Sequence, residues 1–274
     1  MDRFFFTLAL LVYSISFAGF FVHLLTLKKQ AKKCSLAVLA TGFVLHGAAI
    51  ISRWVEAGYP PFVGFHEALS LVAFFLAGLY LLLEMKYRLK TIGAFVTPII
   101  LVTMGAAAAQ PRTIVPLPPV LHSIWLPVHA LICFIAYAVF ALAYCISVMY
   151  LIQEHNIKNK RLGALFKRLP SLDALDVMNE RCLKLGFPLL TMGIATGSIW
   201  AEEAWGRYWG WDPKETWSLI TWFLYAAILH QRLTVGWRGK RAAIMTIIGF
   251  CAVLFTFIGV NFLLHGEHSY ASRF

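Results

Sequence analysis

Apolar residues along this chain gather in long unbroken blocks, and the polar residues are swept into the gaps between them. The blocks lie at about 4–27, 35–52, 67–84, 91–109, 128–152, 185–201, 214–233 and 242–262. Each is long enough to cross a bilayer as a helix, which takes roughly 17–25 apolar residues. The pattern predicts an all-α polytopic membrane protein of about eight transmembrane helices, a single domain over 1–274 with no room for a soluble domain between spans. The first block, in MDRFFFTLALLVYSISFAGFFVHLLTLKK, exceeds the apolar region of a signal peptide, and no small-residue cleavage site follows it. It reads as the first span.

Composition agrees. The chain is 60% hydrophobic and 14% charged, against about half and about a quarter for a soluble domain. The net charge of +11 raises nucleic acid as a partner. The distribution of that charge removes it. Lys28, Lys29, Lys32, Lys33, Lys86, Arg88, Lys90, seven Lys or Arg within 153–184, and Arg232, Arg238, Lys240 and Arg241 make 18 of the 24 basic residues. They fall in alternate loops. By the positive-inside rule those loops are cytoplasmic, so both termini are expected outside, with segments 53–66, 110–127 and 202–213. The cytoplasmic stretch 153–184 is expected to lay one or two amphipathic helices on the membrane surface. The five cysteines form no CxxC pair and suit neither a zinc site nor a disulfide framework.

Topology then sorts the nine histidines. His66, His122, His129, His265 and His268 fall at or near the outer face, and His46 within the second span. His23 and His230 lie towards the inner ends of spans one and seven, and His155 in the basic loop. A histidine near a membrane interface is most simply an amphipathic side chain at headgroup level. His230 is harder to dismiss, because an ionisable group inside an apolar span is a functional candidate by default.

One outer segment stands apart: WGRYWGWDPKETW, Trp205–Trp217, with four tryptophans in thirteen residues. Its end is a helix start. Asp212 is the expected N-cap, Pro213 the first helical residue and Glu215 the reciprocal partner of a capping box. That alone accounts for Asp212 and Glu215 in structural terms. His230 comes 17 residues after Pro213, so about 25 Å along a helix at ~1.5 Å per residue, on the opposite side of the membrane. Trp205, Trp209 and Trp211 interleave with Gly206 and Gly210, beyond what an aromatic belt requires. Flat rings, backbone room at glycine, and Arg207 and Lys214 as carboxylate partners suit a planar apolar ligand with acidic tails. Haem has that shape, and imidazole is a ligand for its iron. On spacing alone either of His122 and His129, and either of His265 and His268, fits.

WGRYWGWDPKETW resembles the WWD motif of the haem-handling proteins of cytochrome c maturation, and nearly the whole chain is similar to their CcsA (ResC) group. HSIWLPVHALICFIAYAVF resembles the segment that carries the family's first external histidine, here His129. SLITWFLYAAILHQR resembles the span with its membrane-embedded histidine, here His230. NFLLHGEHSY resembles the segment of the second external histidine, here His268, with His265 in HGEH as a rival. RWVEAGYPPFVGFHEAL resembles the N-terminal part of the family, with His66 where many members carry another polar residue.

The resemblance implies a subunit of the System II holocytochrome c synthase, or haem lyase, in a bacterial cytoplasmic membrane. With a CcsB/ResB partner it would move haem b across the membrane and present it outside for thioether attachment to the CxxCH thiols of apocytochrome c. His129 and His268 would be axial ligands of the outer haem iron. His230 would ligate the inner one, with a second histidine from the partner. Trp205, Trp209, Trp211, Asp212, Arg207 and Lys214 would complete the outer haem site, where positioning rather than a nucleophile carries the chemistry. No cysteine in the outer loops would compete for the vinyls. A CcmC-like protein, which hands haem to a chaperone, shares the WWD motif but usually has six spans. A haem-b electron-transfer subunit needs paired histidines inside the spans, where His46 has no evident partner. A solute transporter relaying protons through His230 and Glu84 usually shows broken helices or repeats, and none is visible.

Overall fold

The computed structural model describes residues 1–87, 91–114, 116, 121–161 and 163–264, and among these every regular element is helical. The long helices are α1 Asp2–Thr26, α2 Lys29–Ala57, α3 Phe65–Tyr87, α4 Gly93–Ala108, α5 Trp125–Lys158, α7 Leu172–Trp205, α8 Pro213–Leu233 and α9 Lys240–Leu263. A five-residue helix, α6 Ala164–Arg168, interrupts the connection from α5 to α7. Every apolar block of the sequence coincides with one of the eight long helices.

Six of them, α1, α2, α3, α5, α7 and α9, are long and apolar enough to cross a membrane by themselves. This is a multi-pass membrane protein. Helix α4 has only 16 residues. Helix α8 is long enough, but opens on Lys214 and Glu215 and closes on His230, Gln231 and Arg232.

Helix α5 is the axis of the bundle. It packs along α7 and α9 on one side and against α3 and α4 on the other, while α1 lies along α2 and α4. Phe140 of α5 shows how close the packing is. Its ring stacks on Tyr225 of α8 at 3.7 Å, and a Cβ on Gly186 of α7 would stand 2.5 Å from it. Leu11, Val44, Leu82 and Val102 instead point outwards, as lipid-facing residues must when lipid is as apolar as a core.

Several polar groups inside the bundle are paired across helices. Asn179 of α7 donates to Ser147 Oγ of α5 at 2.8 Å and exchanges 3.3 Å bonds with Thr246 of α9. His46 of α2 has both ring nitrogens engaged, with Ser70 Oγ at 2.8 Å and Tyr13 OH at 3.4 Å. No nitrogen of His46 is left for iron, which argues against a haem-b electron-transfer role for it. At the end of the bundle that carries the N-terminus, the buried Arg53 binds Glu67 Oε1 through Nε and Nη2 at 3.0 and 2.7 Å and donates through Nη1 to the carbonyl of Arg112 at 3.0 Å.

The stretch 153–184 differs from expectation. Rather than surface helices, it is mostly the ends of α5 and α7, joined by α6. Both helices have 34 residues, about 50 Å at ~1.5 Å per residue, against roughly 30 Å of hydrocarbon. Ser171 caps α7 by accepting from Ala174 N at 3.3 Å. Leu175, Asn179, Cys182 and Leu183 then give the helix a buried face before the apolar block begins. That face packs on α5, which is why helix persists where the sequence turns polar.

Candidate functional site

The tryptophan segment folds as the helix-start signals require. Helix α7 ends at Trp205, and Gly206 takes the left-handed conformation, φ 69°, that closes it. Asp212 is the N-cap of α8 and accepts from Lys214 N at 2.9 Å. Glu215 turns back: its Oε2 accepts from Gly210 N at 2.8 Å and Asp212 N at 3.1 Å. The capping box therefore fixes helix and loop together. Arg207 lies across Gly210, where a Cβ would stand 2.4 Å from its Nε. Trp211, between these anchors, is held at φ 57°, a region costly for a residue with a Cβ.

Beside this loop lies a cleft holding about 1170 Å³ of open space, its mouth included. Its walls come from the α2–α3 connection and the start of α3 (Phe62, Phe65), α5 (His129, Cys133, Phe134), α7 (Gly197, Trp200), the loop (Tyr208, Trp209), α8 (Lys214, Ser218) and α9 (Phe257, Asn261). They are mostly apolar and aromatic, with a few polar atoms converging, as ligand sites usually are.

His129 is set into the α5–α7 wall. Its Nδ1 lies 2.7 Å from the carbonyl oxygen of Gly193. A carbonyl only accepts, so Nδ1 carries a proton, and in the neutral ring Nε2 has the lone pair. The ring lies nearly parallel to Trp200, 6.3 Å away at 16°, and Trp200 meets Trp205 edge-on at 4.9 Å. Trp209 lines the cleft with its Nε1 buried and unbonded among the described residues. Lys214 reaches across α8 and donates to the neutral Asn261 Oδ1 of α9 at 3.3 Å, leaving its charge uncompensated by a carboxylate at ion-pair distance among the described residues.

Asn261 faces the cleft because α9 contains a π turn at Phe255–Gly259, where Val260 N bonds to the Phe255 carbonyl five residues back. Thr256 within it bonds Thr221 Oγ1 at 2.9 Å and the Trp217 carbonyl at 3.2 Å, fastening α9 to α8.

The residues singled out from the sequence thus separate. His129, Trp209 and Lys214 line one cleft. Trp205 supports its wall through Trp200, and Asp212 is buried as the helix cap. Arg207 and Trp211 are not part of the lining, and Trp211 is 69% exposed. His122 is exposed and also outside the lining. His265 and His268 lie outside the described residues. His230 sits near the far end of α8 with its side chain exposed. Cys133, Asn261 and Gly197 are cleft residues that spacing arguments missed, as they missed Gly193, which backs His129. Gly193 and Gly197 share a helix face at i, i+4, and that spacing was the available signal.

Comparison with known proteins identifies the family. The family model described as cytochrome C assembly protein matches residues 62–268. The chain is 37% identical over 302 aligned residues to the cytochrome c biogenesis protein CcsA of Porphyra purpurea, covering 96% of this chain and 92% of that one. It is 35% identical to that of Synechococcus elongatus over 85% of this chain and 86% of the relative. Among solved structures, the cytochrome c heme lyase CcmF superposes with a TM-score of 0.70 at 18% identity, over 94% of this chain. The chain spans only 46% of that structure, so the likeness is one of fold. A family model over most of the chain and relatives more than a third identical along nearly all of it assign this protein to the cytochrome c assembly family, among its CcsA-type cytochrome c biogenesis proteins.

Proposed function

We propose that the cleft beside the tryptophan loop holds haem b as a substrate, presented on the extracytoplasmic side for attachment to apocytochrome c. The observation that carries this is His129: an imidazole on the cleft wall whose Nδ1–H is bonded to the Gly193 carbonyl at 2.7 Å. A histidine that ligates a metal almost always donates its other N–H in this way. No group of three or more His, Cys, Asp or Glu converges as a metal site among the described residues. A bare ion is therefore poorly served, whereas haem iron brings its own four nitrogens and needs only axial imidazoles. Trp209 and Trp200 offer flat walls, and Lys214 a cation for a propionate.

The chain's contribution is positioning, which can supply several kcal/mol of rate acceleration. His129 on one face, with His268 as the second axial ligand, holds the iron. Each thiol of a CxxCH motif then adds S–H across a vinyl group, forming one C–S and one C–H bond with no net oxidation. Cys133 lies in the same cleft, yet it is buried among α5 and α7 and is kept from competing with the incoming thiols.

His230 belongs to a second haem site on the cytoplasmic side. It lies about 24 Å from Lys214 along α8 at ~1.5 Å per residue, and its exposed ring points away from this chain's own core. That placement supports a ligand pair completed by a CcsB/ResB-type membrane partner. Both termini lie outside and the chain crosses the membrane eight times, α4 and α8 included.

The test is the visible spectrum of the purified chain, alone and with its co-expressed partner, before and after reduction. A bis-imidazole haem b spectrum is expected, weakened by His129→Ala and His268→Ala and altered by His230→Ala. An unchanged spectrum in His129→Ala refutes the outer site as drawn.

A further inference from the structure

We infer that a strip of α7, Gly193, Thr196 and Gly197, is the positioning element for His129. It seats the imidazole in the cleft wall and fixes the tautomer that leaves Nε2 able to coordinate. Its consequence for ligation rests on the proposed role of His129 as an iron ligand; its geometry does not.

The strip works through the absence of side chains and one carbonyl. A Cβ on Gly197 would stand 2.7 Å from both Cε1 and Nδ1 of His129, nearer than real Cβ atoms come to other atoms. The ring occupies the room that any other residue at 197 would fill. One turn earlier, the Gly193 carbonyl receives the Nδ1 proton at 2.7 Å, and Thr196 Oγ1, whose nearer acceptor is the Met192 carbonyl at 2.8 Å, lies 3.0 Å from the same oxygen. A Cβ on Gly193 would stand 2.6 Å from Cys133 Sγ. Cys133 lies one turn after His129 on α5, its Sγ 3.7 Å from Nδ1, so that thiol shields the Nδ1 bond. Trp200, three residues after Gly197, covers the ring at 6.3 Å. The imidazole is thus bounded by backbone, thiol and indole.

The tautomer follows. A neutral histidine in water prefers its proton on Nε2, which would direct an N–H at an approaching metal. A carbonyl fixed beside Nδ1 reverses that preference, because the alternative would turn a lone pair towards an oxygen lone pair in a part-buried place. The strip therefore prepares the ring before any ligand arrives.

The experiment uses the haem-free full chain in detergent, ¹⁵N-labelled at histidine, with His129→Gln to assign the signal. His129 is expected to show a protonated Nδ1 and an unprotonated Nε2. A protonated Nε2 overturns the inference. Hemin is then titrated into the wild type, Gly197→Ala, and Gly105→Ala as a control, since a Cβ on Gly105 meets nothing within 4 Å. Gly197→Ala is expected to weaken hemin binding tenfold or more and to move the bound fraction from low-spin to high-spin absorbance, with added imidazole restoring the low-spin bands. Gly105→Ala should match the wild type.

Unchanged binding and spectrum in Gly197→Ala, alongside their loss in His129→Gln, overturns the positioning role and spares the ligand. No spectral effect of His129→Gln overturns the ligand, while the nitrogen signals still judge the strip. Should Gly197→Ala fail to fold, Gly193→Ala alone and with Cys133→Ala decides. The single change is expected to disturb the Nδ1–H signal, and removing Sγ to restore it. Failure of that restoration counts against the strip.

Discussion

Glu215→Ala probes the hinge on which the tryptophan loop hangs. Glu215 Oε2 accepts two backbone N–H bonds, from Gly210 at 2.8 Å and Asp212 at 3.1 Å. A hydrogen bond to a charged group contributes about 1.5–3 kcal/mol when buried. These two are part-buried, so about 1 kcal/mol each is the sounder figure, with a few tenths more for losing an acidic side chain from the first turn of α8. The loop should therefore open about 2–2.5 kcal/mol more readily, while the bundle, held elsewhere, keeps its global stability. Trypsin reads this directly, because Arg207 and Lys214 bracket the loop. If cleavage proceeds from the open state in rapid equilibrium, its rate follows the open population, and ~2 kcal/mol makes cutting about 30-fold faster. Glu215→Gln keeps an oxygen acceptor and should rise only a few-fold. Cleavage of Glu215→Ala within about threefold of the wild type, a difference of ~0.65 kcal/mol, would show that the carboxylate does not hold the loop, and the capping-box account of the cleft would fail.

Other outcomes follow from the buried pairs. Arg53→Met strands the carboxylates of Glu67 and Asp2, with side-chain exposures of only 10% and 11%, and should cost about 3–5 kcal/mol in detergent unfolding. Arg53→Met with Glu67→Leu should recover much of that loss; equal damage in single and double variants contradicts the pairing. Asn179→Ala should destabilise by about 0.6–2 kcal/mol, modest because Ser147 and Thr246 each also bond within their own helices; a loss above about 4 kcal/mol means the triad does more than join helices. Maleimide should label Cys34 in the folded chain, and should leave Cys133, Cys145 and Cys182 unmodified until it is unfolded, since those three are buried. Labelling of Cys133 at the rate of Cys34 contradicts its shielding by α7.

What the sequence made legible was whatever one segment decides by itself. Apolar length located the helices, and Asp212-Pro213-Lys214-Glu215 placed the start of α8 to the residue. What stayed hidden depends on a neighbour. The polar stretches after Gln153 and before Lys184 read as helices lying on the membrane surface, because nothing local shows that Leu175 and Leu183 have α5 to bury against. Trp211 reads like Trp209, but φ 57° turns it out of the cleft lining. His46 reads as a lone histidine, since Ser70 and Tyr13 meet it from other helices. His129, Trp209 and Lys214 were legible in the cleft wall; behind His129 the i, i+4 spacing of Gly193 and Gly197 left only a trace, because small residues at that spacing serve close helix packing as often as a site.

The π turn of α9 bears on how this fold can vary. A turn that accommodates an extra residue shifts the phase of everything after it, by roughly 100° at 3.6 residues per turn. Removing one residue within Phe255–Gly259 would let α9 relax into an ordinary helix of the same apolar character, equally at home in lipid. Asn261 would swing away from Lys214, and the chain would still insert and fold. One codon therefore separates two membrane proteins of nearly identical composition, only one of which presents an amide to the ammonium group in the cleft.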